Sequence, residues 1–183
     1  MFSLRQLAAG LAAALLVALL AAAPRAGAAT CARADAAPRT VTASAVERAT
    51  VCTINAERRT RGLGALSVNP RLVLAARRHS RDMVRHRYFA HLAPSGSDPA
   101  YRIGQTGYLS DAVPWLVGET LAWGTGDGAS ARSIVLAWMH SPDHRRILLR
   151  GSYRELGVGV VWGAPLRRSG PQATVTAEFG VIG

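Results

Sequence analysis

Helix signals fill the first two thirds of this chain and strand signals the last third, which predicts an α+β domain with a small sheet. Two stretches carry that prediction. Residues 70–87 place Leu72, Ala75, Ala76, His79, Met83 and His86 on one helical face, with Arg77, Arg78, Arg81 and Arg85 opposite. From Leu156 the period changes: Leu156-Gly157-Val158-Gly159-Val160-Val161-Trp162 alternates, and Ala173-Thr174-Val175-Thr176-Ala177-Glu178-Phe179-Gly180 reads as its antiparallel partner. Glycine at alternate positions of the first strand implies that another element approaches that face closely.

The remaining elements follow from local chemistry. Ser44 with Glu47 reads as a capping box, opening a helix that Gly62 stops. Residues 63–68 form a loop or a short extended piece. Asn69-Pro70 starts the next helix, Asn as cap and Pro in the first turn. Ser97, after the turn Pro94-Ser95-Gly96-Ser97, is expected to cap a short helix over 98–106. Residues 108–117 read as irregular and 125–128 as a flexible loop. Ser130 caps a helix running to Met139 or His140, and Pro142 ends it by disfavouring helical geometry at Ser141. One or two further turns fit 143–149.

Residues 1–29 read as an export signal. Arg5 gives a thin positive start, residues 7–23 are an apolar run of 17, and Ala26-Gly27-Ala28 offers a small-x-small cleavage pattern. Residues 30–40 then read as a linker and 41–183 as one domain, long enough for a proper core. No later stretch can span a membrane, so a secreted or extracytoplasmic product without a transmembrane span is expected after cleavage. The only cysteines, Cys31 and Cys52, are expected to pair in an oxidising compartment. Closing a loop of this size stabilises by about 3 kcal/mol.

The chain carries 22 basic residues, all arginine, against 11 acidic ones, for a net charge of +11. Such a charge favours salt-dependent association with anionic envelope polymers or lipid head groups. No recognition motif or interleaved aromatic residue accompanies it, which argues against specific nucleic-acid binding.

Four kinds of site chemistry can be tested against the residues. Both cysteines lie at the N-terminal end, which removes a thiol nucleophile. A serine triad lacks its nucleophile elbow, since Ser95-Gly96-Ser97-Asp98 is turn chemistry. The carboxylates Glu119, Asp143 and Glu155 have nothing in sequence that pairs them as a glycosidase would require. A metal site fares best. His140 and His144 have i, i+4 spacing, but Pro142 breaks the helix between them. His91, Glu119 and His144 form a better trio, each at an element end where cleft residues tend to sit. A neutral imidazole can ligate Zn or Cu, and a carboxylate can orient it. The same three can equally form a hydrogen-bonded network that only fixes the cleft walls.

Residues 53–180 resemble the CAP superfamily, the SCP-domain proteins that include cysteine-rich secretory proteins, antigen 5 and plant pathogenesis-related proteins, in its bacterial secreted branch. The resemblance rests on Asn55-Ala56-Glu57-Arg58, Asn69-Pro70-Arg71-Leu72 with His79 and Met83, Phe89-Ala90-His91, Gly118-Glu119-Thr120, and Trp138-Met139-His140-Ser141-Pro142-Asp143-His144-Arg145. Tyr153-Arg154-Glu155-Leu156-Gly157-Val158-Gly159 continues it. It implies a three-layer α-β-α sandwich around a small antiparallel sheet, with a central cleft. His91 and Glu119 match one His and one Glu of the family's cleft tetrad, Ser141 stands where the second Glu is found elsewhere, and His144 is the bacterial-type histidine. The family's late histidine is absent, with Val175-Thr176-Ala177 in its place. The implied function is binding: a cleft of His91, Glu119, Ser141 and His144 that holds a small hydrophobic, lipid-like ligand, or a divalent metal on His91 and His144. The alternative is a metal-assisted hydrolase acting on peptide or cell-envelope substrates. No residue is assigned as catalytic.

Overall fold

The computed structural model describes residues 31–109, 113–166 and 169–183, and the expected export segment lies outside them. Among the described residues, five helices and four strands follow one another: α1 Ala43–Arg59, β1 Ser67–Val68, α2 Pro70–His86, α3 Pro99–Gly104, β2 Trp115–Thr125, α4 Ala131–His140, α5 Pro142–Leu148, β3 Glu155–Trp162 and β4 Gln172–Ile182. A 3-10 turn over Gly126–Ala129 stands where a flexible loop was expected. The sheet order is β1-β3-β4-β2. The expected β3–β4 antiparallel pair forms, with Gly157 opposite Glu178. The sheet is mixed rather than purely antiparallel, because β1 joins β3 in parallel. The irregular stretch expected before Gly118 is in part strand: β2 starts at Trp115 and pairs with β4 along its whole length.

The sheet has two chemically different faces, and pleat alternation produces both. Leu156, Val158, Val160, Val175, Ala177 and Phe179 point into the main core with Val46, Ile54, Ile134 and Trp138 of α1 and α4. The other face carries Gly157, Gly159, Thr176, Glu178 and Gly180, and α2 lies on it. A methyl group on Gly157 or Gly159 would collide with the α2 backbone at Leu72–Val73 or Ala76–Arg77. Two missing side chains thus set the distance between helix and sheet. Ser80 completes the seam, its hydroxyl donating to the carbonyl of Gly159 at 2.9 Å and lying 2.8 Å from the Thr176 hydroxyl.

Helix starts largely follow the sequence. Asn69 caps α2 with Pro70 behind it, and Arg87 closes the helix in the left-handed region. Three details differ. Thr42 rather than Ser44 caps α1, because Glu47 turns inward to bind Arg77 at 2.5 Å and accept from Val160 N–H at 3.1 Å. Asp98 rather than Ser97 caps α3. His86, expected on the inward face, is exposed and pairs with Asp82 one turn earlier.

Two family-motif residues of α1 fix distant loops. Asn55 exchanges two hydrogen bonds with the backbone of Leu66. Arg58, buried, donates to the carbonyls of Gly64, Leu148 and Arg150. It thereby satisfies the C-terminal carbonyls of α5 and anchors the helix that carries His144. Residues 31–40 are no free tether. Cys31 is disulfide-bonded to Cys52, Asp35 pairs with Arg132 at 2.6 Å, and Ala34 is buried.

The contact between α2 and β3 gives a direct test. Gly159→Ala is expected to lower stability by about 2–3 kcal/mol, since neither backbone can yield cheaply. Urea unfolding should show a lower midpoint at unchanged slope. An unchanged midpoint would remove the close approach as the determinant of the layer spacing.

Candidate functional site

Glu119 lies in the middle of β2, on the face that α2 and α3 cover. Its side chain is 1% exposed, whereas that of His91, to which it is bonded, is 52% exposed. Burying a carboxylate costs several kcal/mol unless partners replace its water. Three partners do so here. His91 Nδ1 approaches Oε1 at 2.6 Å, Arg102 Nη2 donates to Oε2 at 2.7 Å, and His79 Nε2 stands 3.7 Å from Oε2.

Each partner is placed by its own element. His91 follows the left-handed end of α2. Arg102 sits one turn into α3 and is steadied by a 2.6 Å bond to the carbonyl of Ser97. His79 lies on the buried stripe of α2, with Nε2 3.1 Å from the carbonyl of Ala90. A carbonyl only accepts, so His79 carries its proton on Nε2. Burial, reinforced by the charge of Arg102 and opposed by that of Glu119, holds His79 below its ordinary pKa, so it is neutral at physiological pH.

A second carboxyl completes the knot. Glu178 is the register partner of Glu119 across β2 and β4 and is fully buried. Neither of its oxygens has a partner in good hydrogen-bond geometry. Burial first, and then the charge of Glu119, push it well above the ordinary carboxylate range, against a smaller downward pull from Arg102. Burial also pushes Glu119 up, but hydrogen bonding from His91 and Glu178 and the charges of His79 and Arg102 outweigh it, and Glu119 lies below its usual value. The pair therefore divides its charge: Glu119 is held toward the ionised form and Glu178 toward the neutral one.

Of the residues singled out from sequence, His91 and Glu119 are in direct contact. His144, on α5, is close enough to His91 for the two charges to interact. Burial, then the His91 charge, hold His144 below its ordinary pKa, against an upward pull from Asp143. Ser141 sits at the α4–α5 junction, where its backbone N–H bonds back to Ala137 and Trp138 and its hydroxyl makes no capping bond. His140 faces away, its Nδ1 2.8 Å from the carbonyl of Leu136. Sequence reading gave no role to Arg102 or Glu178. A lone acidic residue inside the apolar run of β4 was the visible signal for Glu178; nothing in sequence marked Arg102.

The donor set fits a metal only in part. His91 is held as a metal-ligating imidazole is held, with a carboxylate on Nδ1 and a half-exposed side chain. Among the described residues, however, no three His, Cys, Asp or Glu side chains gather around one point. Arg102 also takes the Glu119 oxygen that an ion would need.

The shared proton has a measurable consequence. Glu178 has a raised folded pKa, so its contribution is fully present below the unfolded value near 4.5 and is lost as pH rises through the folded value. Glu119 works in the opposite sense, losing its contribution as pH falls below 4.5. Glu178→Gln keeps a donor toward Glu119 and removes the titration. The variant should match the parent below about pH 4.5 and exceed it increasingly as pH rises toward the raised folded value of Glu178. Urea unfolding across that range measures it; parallel stability profiles would mean that Glu178 holds no extra proton.

Comparison with known proteins places this geometry in a family. Residues 51–176 match the model of the cysteine-rich secretory protein family, CAP. The uncharacterized protein YkwD of Bacillus subtilis (strain 168) is 33% identical over 118 residues, covering 64% of this chain and 43% of the relative. This chain therefore spans less than half the length of that relative. An outer surface protein from Borrelia burgdorferi shares the fold with a TM-score of 0.64 at 20% identity, over 78% of this chain and 97% of its own. An extracellular protein containing a SCP domain from Bacillus anthracis str. Ames gives 0.58 at 21% identity, over 76% and 43%. With the family match covering more than half the sequence, the chain belongs to the cysteine-rich secretory protein family.

Proposed function

We propose that this protein is an extracytoplasmic binding protein for a lipid-like amphiphile with an anionic head, held in the groove between α1 and α2. One observation carries the reading. That groove has a volume of about 590 Å³ and walls of Val51, Val68, Pro70, Val73, Leu74 and Val158. Val68 and Leu74 stay exposed, at 56% and 41%, although both are aliphatic. The volume is that of a small-molecule pocket, and each methylene buried in it contributes about 0.8 kcal/mol.

The rim supplies the head-group chemistry. Arg77 is neutralised by Glu47, while Arg48 has no side-chain partner among the described residues. One unpaired cation beside an apolar trough suits a single-chain carboxylate. The His91 face is polar and charged, and supports an alkyl chain less well. An extracytoplasmic setting is supported by the disulfide, by the apolar N-terminal run, and by the extracellular and outer-surface relatives. Among the described residues no helix is long and apolar enough to cross a membrane.

Calorimetry with palmitate tests this. Saturable binding is expected, weakened about tenfold or more by Leu74→Glu and several-fold by Arg48→Ala, roughly the loss of one anchoring contact. Both positions are exposed, so an unchanged Tm is expected. Absent binding, or binding indifferent to Leu74→Glu, would refute the reading.

A second reading rests on how Glu119 holds His91. With Nδ1 on the carboxylate, Nε2 is free to ligate, and His91 with His144, near enough for their charges to interact, would take Zn or Cu more weakly than a closed site. Metal binding should weaken as pH is lowered and protons compete for the ring nitrogens, and His91→Ala with His144→Ala should abolish it. Unchanged zinc affinity in that double variant would rule out these ligands. Hydrolysis gains no support, because the one ionised carboxylate at hand is held by Arg102 and is not poised as a base.

A further inference from the structure

Arg102 belongs to two places at once. Its Nη2 holds Glu119, and its side chain also lines a small pocket of about 260 Å³ between α2, α3 and the loop before α3. Neither the His91 face nor the α1–α2 groove includes this pocket. It is less than half the volume of the groove, too small for a lipid chain and of a size for one six-membered sugar ring.

Its lining is rich in hydrogen-bonding groups. Ser95 and Ser97 present hydroxyls 2.9 Å apart, and Gln105 adds an amide. Arg102 lines the wall, its Nε–H buried without an acceptor and its Nη2 fixed on Glu119. At the rim stands Tyr101, 58% exposed although aromatic. An open aromatic face beside hydroxyls and an amide suits the apolar C–H face of a pyranose while polar groups take its hydroxyls.

Charge narrows the class. The Asp82 carboxylate keeps its charge, but His86 Nδ1 at 2.7 Å and the Tyr88 hydroxyl occupy its two oxygens, so it offers a ligand no free acceptor. Arg102 is balanced by Glu119. Arg78 remains, an exposed cation with no partner among the described residues. One unpaired guanidinium asks for one carboxylate. Arg78 is also the middle member of a row, Arg71, Arg78 and Arg85, at seven-residue spacing on the exposed side of α2. Successive members are about 10.5 Å apart at roughly 1.5 Å rise per residue. That is about three times the ~3.4 Å charge spacing along one nucleic-acid strand. It is closer to a glycan that carries a carboxylate on every second sugar.

We propose that the pocket bounded by Arg78, Tyr101 and Gln105 binds one acidic sugar residue, a pyranose with a carboxylate, of an anionic glycan lying along α2.

The intact protein titrated with a hyaluronan tetrasaccharide, in which uronic acid alternates with a neutral sugar, tests this, with its neutral methyl ester as control. Saturable binding is expected, weaker by about tenfold for the ester and for Arg78→Ala or Tyr101→Ala, the cost of one anchoring contact. Tyr101→Trp should keep the affinity, since the ring rather than the hydroxyl is required. All are exposed positions, and an unchanged Tm shows that the fold persists. Leu74→Glu in the separate groove should leave glycan binding unaltered, so this result and the palmitate result are independent. The proposal is overturned by no saturable binding, by equal affinity for acid and ester, by indifference to Arg78→Ala and Tyr101→Ala, or by a polynucleotide displacing the tetrasaccharide at equal charge, which would mark a general polyanion surface.

Discussion

The structure turns on one buried anion. Glu119 is ionised inside a sheet, where leaving it unpartnered would cost several kcal/mol. Three segments distant in sequence converge to prevent that: His79 from α2, His91 from the loop beyond it, and Arg102 from α3. The loop between α2 and α3 is therefore fixed at both ends by the same carboxylate. Removing one partner would leave the others charged or unsatisfied, so the group behaves as a unit rather than as a sum of pairs.

This arrangement is possible because the sheet divides its labour. The face toward α1 and α4 is packed with Leu156, Val158, Val160, Val175 and Phe179 and carries the hydrophobic stabilisation. The face toward α2 gives up side-chain volume at Gly157 and Gly159, letting a helix backbone lie directly on the strands. Further along the same face, small residues give way to Thr176, Glu178 and Glu119. Polar side chains are tolerated there because the helix brings its own polar partners, Ser80 and His79, to meet them.

Much of the fold was legible from local signals. Asn69-Pro70, Ser130 and Ser141-Pro142 fixed helix boundaries, and the Leu156–Trp162 alternation fixed a strand, because these depend on backbone chemistry within a few residues. Glu47 shows where that logic fails. Three residues after a serine it looks like part of a cap, but a long-range partner, Arg77, and an unsatisfied N–H at Val160 claim it instead. The same limit applies to the site. His91 stands at an element end and could be singled out; Glu119, expected at one, lies mid-strand, because β2 begins at Trp115 and runs through it. Arg102 sits in an ordinary surface-like helix sequence, and only the tertiary fold turns it inward. Glu178 was visible as an acid in an apolar strand, but its neutral state depends on Glu119 lying opposite, which needs the β2–β4 register.

Arginine number 102 connects what would otherwise be separate features. A guanidinium is planar with five donors, and here it distributes them over the Glu119 carboxylate, the Ser97 carbonyl and the wall of a pocket. A lysine could hold the carboxylate but could not reach the other two at once. The Glu119 knot therefore fixes the pocket wall as well as the orientation of His91. Anything that shifts the guanidinium from the pocket side must also disturb the hydrogen bond that orients the imidazole. A buried carboxylate and a half-exposed imidazole are mechanically one object, and the wall of the neighbouring pocket moves with them.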